Sequence, residues 1–240
     1  MSRRNGPDGG RSGTGSAERV RHHGALARTY AAITATVDGL ADADLLRPTR
    51  CQGWFVVDLL FHLTLDAQRA LVALATPADG PPDVDSVSYW RHSGGGDASS
   101  RHAAWVRRCA AAFDRPSGVV RLWSDTAPAA VRAAGAADPA GHVATQGHVL
   151  TVPDFVATLV TEAVVHQLDL TVALPDAPAP DPAAVQVAVA TLDGLLSDDA
   201  VRPPDWSDVD YLLKATGRLP LTGHDRLVLG EAAGWFPLLG

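Results

Sequence analysis

Cysteine is scarce in this sequence, whose 240 residues include two, Cys51 and Cys109. Two thiols are too few for a multi-disulfide scaffold or a cysteine-rich zinc site, so both classes of protein are excluded. So little use of cysteine is typical of a reducing compartment, where disulfides do not persist. We therefore expect a cytoplasmic protein.

The sequence also lacks a long uncharged apolar run. Its most apolar stretch, residues 152–174, contains Asp154, Glu162, His166 and Asp169. A transmembrane helix needs about 18 or more apolar residues with few or no charges, so we expect no membrane span. The arginines near the N-terminus are not followed by the apolar segment of an export signal. This pattern predicts a soluble protein.

An excess of basic residues is missing as well. The chain carries 20 Lys and Arg against 27 Asp and Glu, a formal net charge of −7. Proteins that bind nucleic acids or anionic membranes need a basic surface to neutralise phosphates, so neither class is expected. Hydrophobic residues nevertheless make up 46 % of the chain, which is enough for a packed core.

Helical periodicity dominates what is present. Residues 1–16 are rich in Gly, Ser and Arg and are predicted to be a disordered tail. Apolar residues then recur every three or four positions, which predicts an all-α fold without βαβ units. The first predicted helix begins near Ala17, and the others cover residues 56–75, 101–113, a shorter piece within 118–137, 151–174, 183–196 and 207–216. Thr151 is a predicted N-cap and Gly217 a predicted C-cap.

These helices predict a four-helix bundle with a small C-terminal extension. We assign residues 17–175 to the bundle and residues 176–240 to a mostly helical extension packed on it. Residues 83–100 are predicted to form a long loop containing Tyr89 and Trp90, and loops of this length are often functional. Residues 143–152 are ambiguous and leave room for a short extended segment.

Two apolar helices carry ionisable side chains along one face. In residues 56–75 these are Asp58, His62, Asp66 and Arg69, and in residues 151–174 they are Glu162, His166 and Asp169. Spacings of three and four residues place each set on one side of its helix. Burying such groups without partners would cost several kcal/mol, on the order of 2–7 for each, so they require partners or a metal ion.

A metal site is one interpretation of these two sets. His62 with Glu162 and His166 would supply two imidazoles and a carboxylate, ligands that suit zinc or another first-row divalent ion. Asp66 and Asp169 would then accept hydrogen bonds from the imidazoles and orient them. The simpler alternatives are an ordinary contact between residues 162 and 166 and a core histidine at position 62.

Three further residues are candidates for the site, each with a simpler alternative. His148 precedes the fourth predicted bundle helix and is a candidate general acid or thiol contact, or else an exposed loop histidine. Arg218 is a candidate cation for a substrate carboxylate, or else it caps the preceding helix. Cys51 precedes a helix N-terminus, where a thiolate would be stabilised, but a buried structural thiol is the simpler interpretation.

Three segments resemble a known family. Residues 51–63 (CQGWFVVDLLFHL) are similar to the C-x-G-W-x-V-x-D-L-x-x-H-L segment of the mycothiol-dependent maleylpyruvate isomerase family, which belongs to the DinB-like helical-bundle metalloenzymes. Residues 161–170 (TEAVVHQLDL) resemble its T-E-x-x-V-H-x-x-D-L signature. Residues 212–218 (LLKATGR) resemble its L-L-x-x-T-G-R ending. The resemblance extends loosely over residues 17–239.

The resemblance implies a specific chemistry. By position, His62, Glu162 and His166 match the family's metal ligands, and the metal is usually zinc. Members bind a low-molecular-weight thiol such as mycothiol and either isomerise maleylpyruvate or transfer the thiol to an electrophile. The expectation is therefore a metal-dependent, thiol-using isomerase or S-transferase that acts on a small molecule. We expect the protein to be a monomer or a homodimer.

Two alternatives keep the metal and drop the thiol. In the first, the chain is a metal-dependent hydrolase, lyase or cyclase of specialised metabolism that uses no thiol. In the second, it is a non-catalytic metal-binding protein. The second would need a fully occupied coordination sphere, and the sequence offers no obvious fourth ligand for it.

Overall fold

The computed structural model describes residues 11–92, 97–174, 176–196 and 200–239. Within these ranges the chain forms eight α-helices and one two-stranded antiparallel sheet, which confirms the predicted all-α class. The helices are α1 (Arg11–Val37), α2 (Val56–Ala75), α3 (Asp97–Ala110), α4 (Ser117–Ala136), α5 (Val152–Leu170), α6 (Pro182–Leu195), α7 (Asp208–Ala215) and α8 (Gly223–Leu229), and the strands are β1 (His142–Thr145) and β2 (His148–Thr151).

Helices α1, α2, α4 and α5 form the bundle. Helix α2 packs against α4 and α5, and α1 packs against α4 and α5 from the other side. Helix α6 lies on α1 and α5, and α7 packs on α6. Helix α3 contacts α2.

The length predicted for α4 was too short. Residues 118–137 were expected to form a shorter piece, but α4 has 20 residues, the same length as α2. One face of α4 is buried at spacings of three and four residues, whereas the described part of α3 buries two hydrophobic side chains, Val106 and Ala110. Helix α4 was underestimated because its buried stripe is mostly alanine, which carries little periodic signal. The buried residues of that stripe are Val119, Trp123, Ala127, Ala130 and Ala134.

Trp123 joins α4 to α1 at the centre of the bundle. It is fully buried, and its indole N–H donates a 2.9 Å hydrogen bond to the hydroxyl of Thr34. The ring of Tyr30 meets it edge to face, with centroids 4.9 Å apart. A buried indole with both a polar partner and an aromatic neighbour fixes the register of the two helices.

A short hairpin sets the start of α5. The ambiguous residues 143–152 lie in β1, β2 and the first position of α5, and the two strands are joined by Gln146 and Gly147, whose φ angles of 49° and 86° fit a two-residue hairpin turn. As predicted, Thr151 is the N-cap of α5. Its hydroxyl oxygen accepts the backbone N–H of Asp154 at 3.2 Å.

Three boundaries differ from the sequence expectations. Residues 11–16 were assigned to the disordered tail but belong to α1, since extending a helix that is already packed costs little; residues 1–10 of the expected tail lie outside the described residues. Helix α5 ends at Leu170 and continues as a 3₁₀ turn over Thr171–Ala173. Of the expected loop 83–100, residues 88–92 form a 3₁₀ turn and α3 begins at Asp97; residues 93–96 lie outside the described part of the chain.

By length and composition alone, helix α5 with its 3₁₀ turn is apolar enough to cross a membrane. Residues Val152–Ala173 have a mean hydropathy of 1.3 in their most apolar window, and 78 % of that window is buried inside the protein. The core helix of a soluble protein has the same property, and here the apolar surface is already covered by α1, α2 and α6.

The C-terminal segment is organised around the buried carboxylate of Asp225. This carboxylate accepts hydrogen bonds from the indole of Trp206 (2.8 Å), the ammonium of Lys214 (2.8 Å) and the backbone N–H of Thr222 (2.7 Å). Burial raises the pKa of Asp225, but its partners outweigh burial, and the pKa lies below its ordinary value. The ionised carboxylate therefore stabilises the contact between α7 and the start of α8.

We predict that Trp123→Ala destabilises the protein by about 3–5 kcal/mol, because it opens a cavity between α1 and α4. Urea unfolding followed by circular dichroism measures the change. The matched control is Trp105→Ala on α3, since Trp105 is 43 % exposed and its loss should cost far less. Equal effects of the two variants would contradict the packing described for α4.

A second prediction concerns pH. Because the pKa of folded Asp225 is lowered, its contribution to stability is present above the ordinary aspartate pKa of about 3.9 and is lost as the pH falls below it. We expect Asp225→Asn to lower the free energy of unfolding by about 2–3 kcal/mol at pH 7 and by less at pH 3.

Urea unfolding at both pH values tests this expectation. Asp205→Asn is the control, because Asp205 is exposed and lies 3.9 Å from His224, and surface pairs contribute about 0–1 kcal/mol. A stability gap between wild type and Asp225→Asn that does not change with pH would contradict the prediction.

Candidate metal centre

The three expected metal ligands meet where α2 faces α5. His62 comes from α2, and Glu162 and His166 lie one turn apart on α5. Oε1 of Glu162 is 3.0 Å from Nε2 of His62 and 3.3 Å from Nε2 of His166. The three donor atoms lie within 4.8 Å of one another. The structure therefore brings together the residues that the sequence pattern singled out.

Local structure explains the direction in which His62 points. The turn before α2 contains Gly53, whose φ of 75° suits glycine, and α2 begins after Phe55. The backbone N–H of Phe55 donates a 2.9 Å hydrogen bond to Asp58, which closes the first turn of the helix. Asp58 was grouped with the ionisable stripe of α2, but its role is this cap, and the cap sets the face on which His62 lies.

The charges around the cluster are unevenly paired. Asp66 is 3.1 Å from Arg69, and Asp169 is 3.0 Å from Arg218, so each of these buried carboxylates has its own guanidinium. The carboxylate of Glu162 is instead flanked by the two imidazoles. A carboxylate at a largely buried position needs a compensating positive charge, which here comes from a protonated histidine or from a metal ion.

The hydrogen bonds of His166 sharpen this requirement. Its Nδ1 lies 3.0 Å from Oδ2 of Asp169, and an ionised carboxylate can only accept a hydrogen bond, so Nδ1 carries the proton and donates. A neutral His166 then directs the lone pair of Nε2 at the oxygen of Glu162, and this arrangement is stable only with a cation between the two atoms. The contact between Glu162 and His166 therefore requires either a protonated His166 or a metal ion.

The pKa shifts without metal have the corresponding directions. Burial lowers the pKa of His166, but hydrogen bonds with Asp169, Cys51 and Glu162 outweigh burial and raise it well above the ordinary value. Burial raises the pKa of Glu162, but hydrogen bonds from His166 and His62 hold it well below the ordinary value. Without a metal, a proton shared within the cluster compensates the charge of Glu162.

The geometry also fits a divalent ion. Bonds of about 2.0–2.2 Å in a tetrahedral site place neighbouring donor atoms about 3.3 Å apart. The observed separations of 3.0 and 3.3 Å agree with this value. Two neutral nitrogens and one carboxylate oxygen are suitable ligands for zinc, and three protein ligands leave a position for another molecule.

Asp169 connects the cluster to the C-terminal segment. Nε and Nη2 of Arg218 donate to its carboxylate at 3.0–3.3 Å, and Nη1 donates to the backbone oxygen of Thr216 at 2.9 Å. Burial raises the pKa of Asp169, but the contacts with His166 and Arg218 lower it to about 2. Arg218 had two expected roles, a contact with a substrate carboxylate or a cap on the preceding helix; its bond to Thr216 agrees with the cap, and its contact with Asp169 keeps that carboxylate ionised.

Cys51 lies on the same side of His166 as Asp169. Its thiol donates to Oδ2 of Asp169 at 3.2 Å, and the sulfur is 3.9 Å from Nδ1 of His166. Cys51, His166 and Asp169 thus form a second group of potential metal ligands, which shares His166 with the first. The salt bridge from Arg218 already occupies the carboxylate of this group, so the first group is better suited to hold an ion.

Asp66 does not take the position expected of an orienting acceptor. Its Oδ2 lies 3.6 Å from Nε2 of His62, the nitrogen that also faces Glu162. Nδ1 of His62 is buried, and no described residue forms a hydrogen bond with it. Asp66 thus lies beside the coordinating atom of His62, whereas Asp169 contacts the opposite nitrogen of His166, as orienting carboxylates do.

Comparison with known families identifies the family of the chain. The family model described as mycothiol maleylpyruvate isomerase N-terminal domain matches residues 26–171, more than half of the chain. The chain belongs to this family. No curated protein and no solved structure matches the chain. The matched segment contains His62, Glu162 and His166, so all three candidate ligands lie in the part of the chain that defines membership of the mycothiol maleylpyruvate isomerase family.

The remaining candidate, His148, lies on β2. Its Nδ1 is 3.1 Å from Oδ2 of Asp83, and its ring centroid is 6.4 Å from that of Tyr89. These contacts tie the hairpin to the segment that precedes α3. They do not place His148 against any of the three ligands, so its proposed role as a general acid rests on the sequence pattern alone.

Sequence reasoning missed the aromatic rings around His62. The centroid of Trp54 lies 5.6 Å from that of His62, and the centroid of His102, on α3, lies 5.7 Å away. Trp54 also packs against the hydrophobic core, and His102 stands on a polar helix without a recognisable motif. Burial lowers the pKa of His102, which keeps a neutral imidazole beside His62.

We predict that the purified protein contains about one equivalent of a divalent metal per chain and that His62→Ala, His166→Ala and Glu162→Gln each reduce this content strongly. Mass spectrometry of the metal content provides the measurement. His224→Ala on α8 is the matched control, because this histidine is exposed and lies outside the family match. Retention of the metal by all three ligand variants would refute the assignment.

Proposed function

We propose that the chain is a metal-dependent enzyme that uses a low-molecular-weight thiol of the mycothiol type to isomerise, or to transfer the thiol to, a small electrophilic metabolite. The observation that supports this proposal most directly is the convergence of His62, Glu162 and His166 within the segment matched by the mycothiol maleylpyruvate isomerase family. Zinc is the ion we propose, because it prefers nitrogen and carboxylate ligands and keeps an open position in catalytic sites.

The charge of the cluster favours an anionic partner. One carboxylate and two neutral imidazoles around a divalent ion leave a charge of +1 at a buried site, since Asp66 and Asp169 are already paired with arginines. A thiolate in the remaining position would neutralise this charge. When bound there, a divalent metal would lower the pKa of a coordinated thiol and supply a thiolate able to add reversibly to an electrophilic double bond, with isomerisation or S-transfer as the outcome.

Hydrogen bonds within the protein keep His166 in the tautomer that such a site needs. Asp169 accepts a hydrogen bond from the protonated Nδ1 of His166, and this bond keeps the lone pair of Nε2 directed at the site. Arg218 keeps Asp169 ionised, so the proton stays on the imidazole. Glu162 is 22 % exposed, more than either histidine, so the cluster opens to solvent on the side of this carboxylate.

The proposed partners follow from the same charges. We propose a thiol cosubstrate and a small-molecule substrate, with no nucleic acid, because the net charge of −7 disfavours phosphate-rich partners. We propose a cytoplasmic location, where Cys51 and Cys109 would remain reduced.

A thermal-shift titration tests the use of a thiol. We expect mycothiol to stabilise the metal-loaded protein saturably, by about 2.7 kcal/mol at one hundred times its dissociation constant. S-methylated mycothiol is the matched control ligand, because it keeps the scaffold and removes the ionisable thiol. His62→Ala should abolish the response.

Turnover of maleylpyruvate and other electrophilic cis-alkenes with and without mycothiol completes the test. Thiol-dependent turnover is the expected result. Turnover of a substrate by the metal-loaded protein without any thiol would replace the proposal with a thiol-independent hydrolase, lyase or cyclase. Equal stabilisation by mycothiol and its S-methyl derivative, with no turnover, would also overturn the proposal.

A further inference from the structure

A fourth metal-binding side chain lies beside the three ligands, on a different helix. His102 is on α3, which packs against α2. Its ring meets that of His62 at an interplanar angle of 76° with centroids 5.7 Å apart. The rings of His62 and His166, two candidate ligands of the same ion, are 4.9 Å apart at 86°. His102 is thus related to His62 much as His166 is.

The separation of the rings matches shared coordination. Two imidazoles bound to one tetrahedral ion, each with a metal–nitrogen bond of about 2.0–2.1 Å, have centroids about 5 Å apart. The distances of 4.9 and 5.7 Å lie on either side of this value. Trp54 also meets His62 edge to face, with centroids 5.6 Å apart, but its indole offers no metal ligand, whereas His102 and His166 each carry a ring nitrogen that can bind an ion.

The side chain of His102 can rotate so that its imidazole approaches the three candidate ligands. It does not belong to the group whose donor atoms lie within 4.8 Å of one another, so a rotation of its side chain is required. The residue is exposed, and exposed side chains change rotamer within nanoseconds. On its other side, the ring of Trp105 lies 5.8 Å away at 35°.

We propose that His102 is a fourth protein ligand, which closes the coordination sphere of a divalent ion held by His62, Glu162 and His166. The inference rests on the metal centre described under the proposed function and deepens it. A neutral imidazole leaves the site with a charge of +1, so an anionic thiolate would still be favoured in its place. The resting ion would then be protected by a ligand that a thiol can displace.

Cobalt substitution tests the proposal without relying on activity. The wild-type protein loaded with Co²⁺ should show the intense visible absorption of a tetrahedral site, and His102→Ala should change the shape and intensity of the band. In competition with a chelator, His102→Ala should weaken the affinity for Zn²⁺ by at least about tenfold, since even residues that only orient a ligand contribute 10–100-fold.

Two variants separate coordination from packing. His102→Phe keeps an aromatic ring against His62 but removes the nitrogen, so it should behave like His102→Ala. Trp105→Ala removes the neighbouring ring and should leave the Co²⁺ spectrum in place. If His102→Phe retains the wild-type spectrum and affinity, His102 only packs on His62 and the inference is wrong. Failure of the wild-type protein to bind any metal would instead overturn the metal centre itself, which the Zn²⁺ titration of wild type reports separately.

Discussion

The centre of this protein is organised by one largely buried carboxylate, that of Glu162, which needs a compensating positive charge. Glu162 lies between two imidazoles on facing helices, while the neighbouring carboxylates of Asp66 and Asp169 are each neutralised by an arginine. Removing a carboxylate from water costs more than packing returns unless a cation accompanies it. The facing sides of α2 and α5 therefore match in polarity as well as in shape, and this requirement sets which residues of the two helices meet.

The surrounding fold provides the rigidity that such a site requires. Helix α5 starts at a position defined by the hairpin and by Thr151, and α2 starts at the capped turn that contains Gly53. Both ends are fixed by hydrogen bonds within a few residues, so the angular positions of His62 and Glu162 follow from local structure. Arg218 adds a constraint from the C-terminal segment, because its salt bridge to Asp169 holds the ring of His166 from behind.

The segment matched by the family and the segment that follows it contribute different residues to the site. The segment matched by the family, residues 26–171, contains the candidate ligands. The segment that follows contributes Arg218, whose guanidinium reaches Asp169 although 49 positions separate them in sequence. The C-terminal segment therefore acts on the site through the ionisation of Asp169, and its own buried carboxylate, Asp225, keeps that segment folded.

Several features were readable from the sequence because their physical causes are local. The caps at Thr151 and Gly217 act within a few residues, and the polar stripes of α2 and α5 appear as spacings of three and four. The stripes also showed that buried charges needed partners, which led to the correct set of neighbours for Glu162. The sequence by itself thus determined the helical class, the positions of most helices and the group of residues that meets at the site.

Tertiary structure alone decided the rest. Helix α4 forms one side of the bundle because alanines allow close approach, and alanine gives little sign of burial in a sequence pattern. The direction of Arg218 toward Asp169, the position of Asp66 beside Nε2 of His62, and the placement of His102 against His62 depend on how separate helices pack. Such contacts join residues tens of positions apart, so no local periodicity records them, and only the packed bundle brings them together.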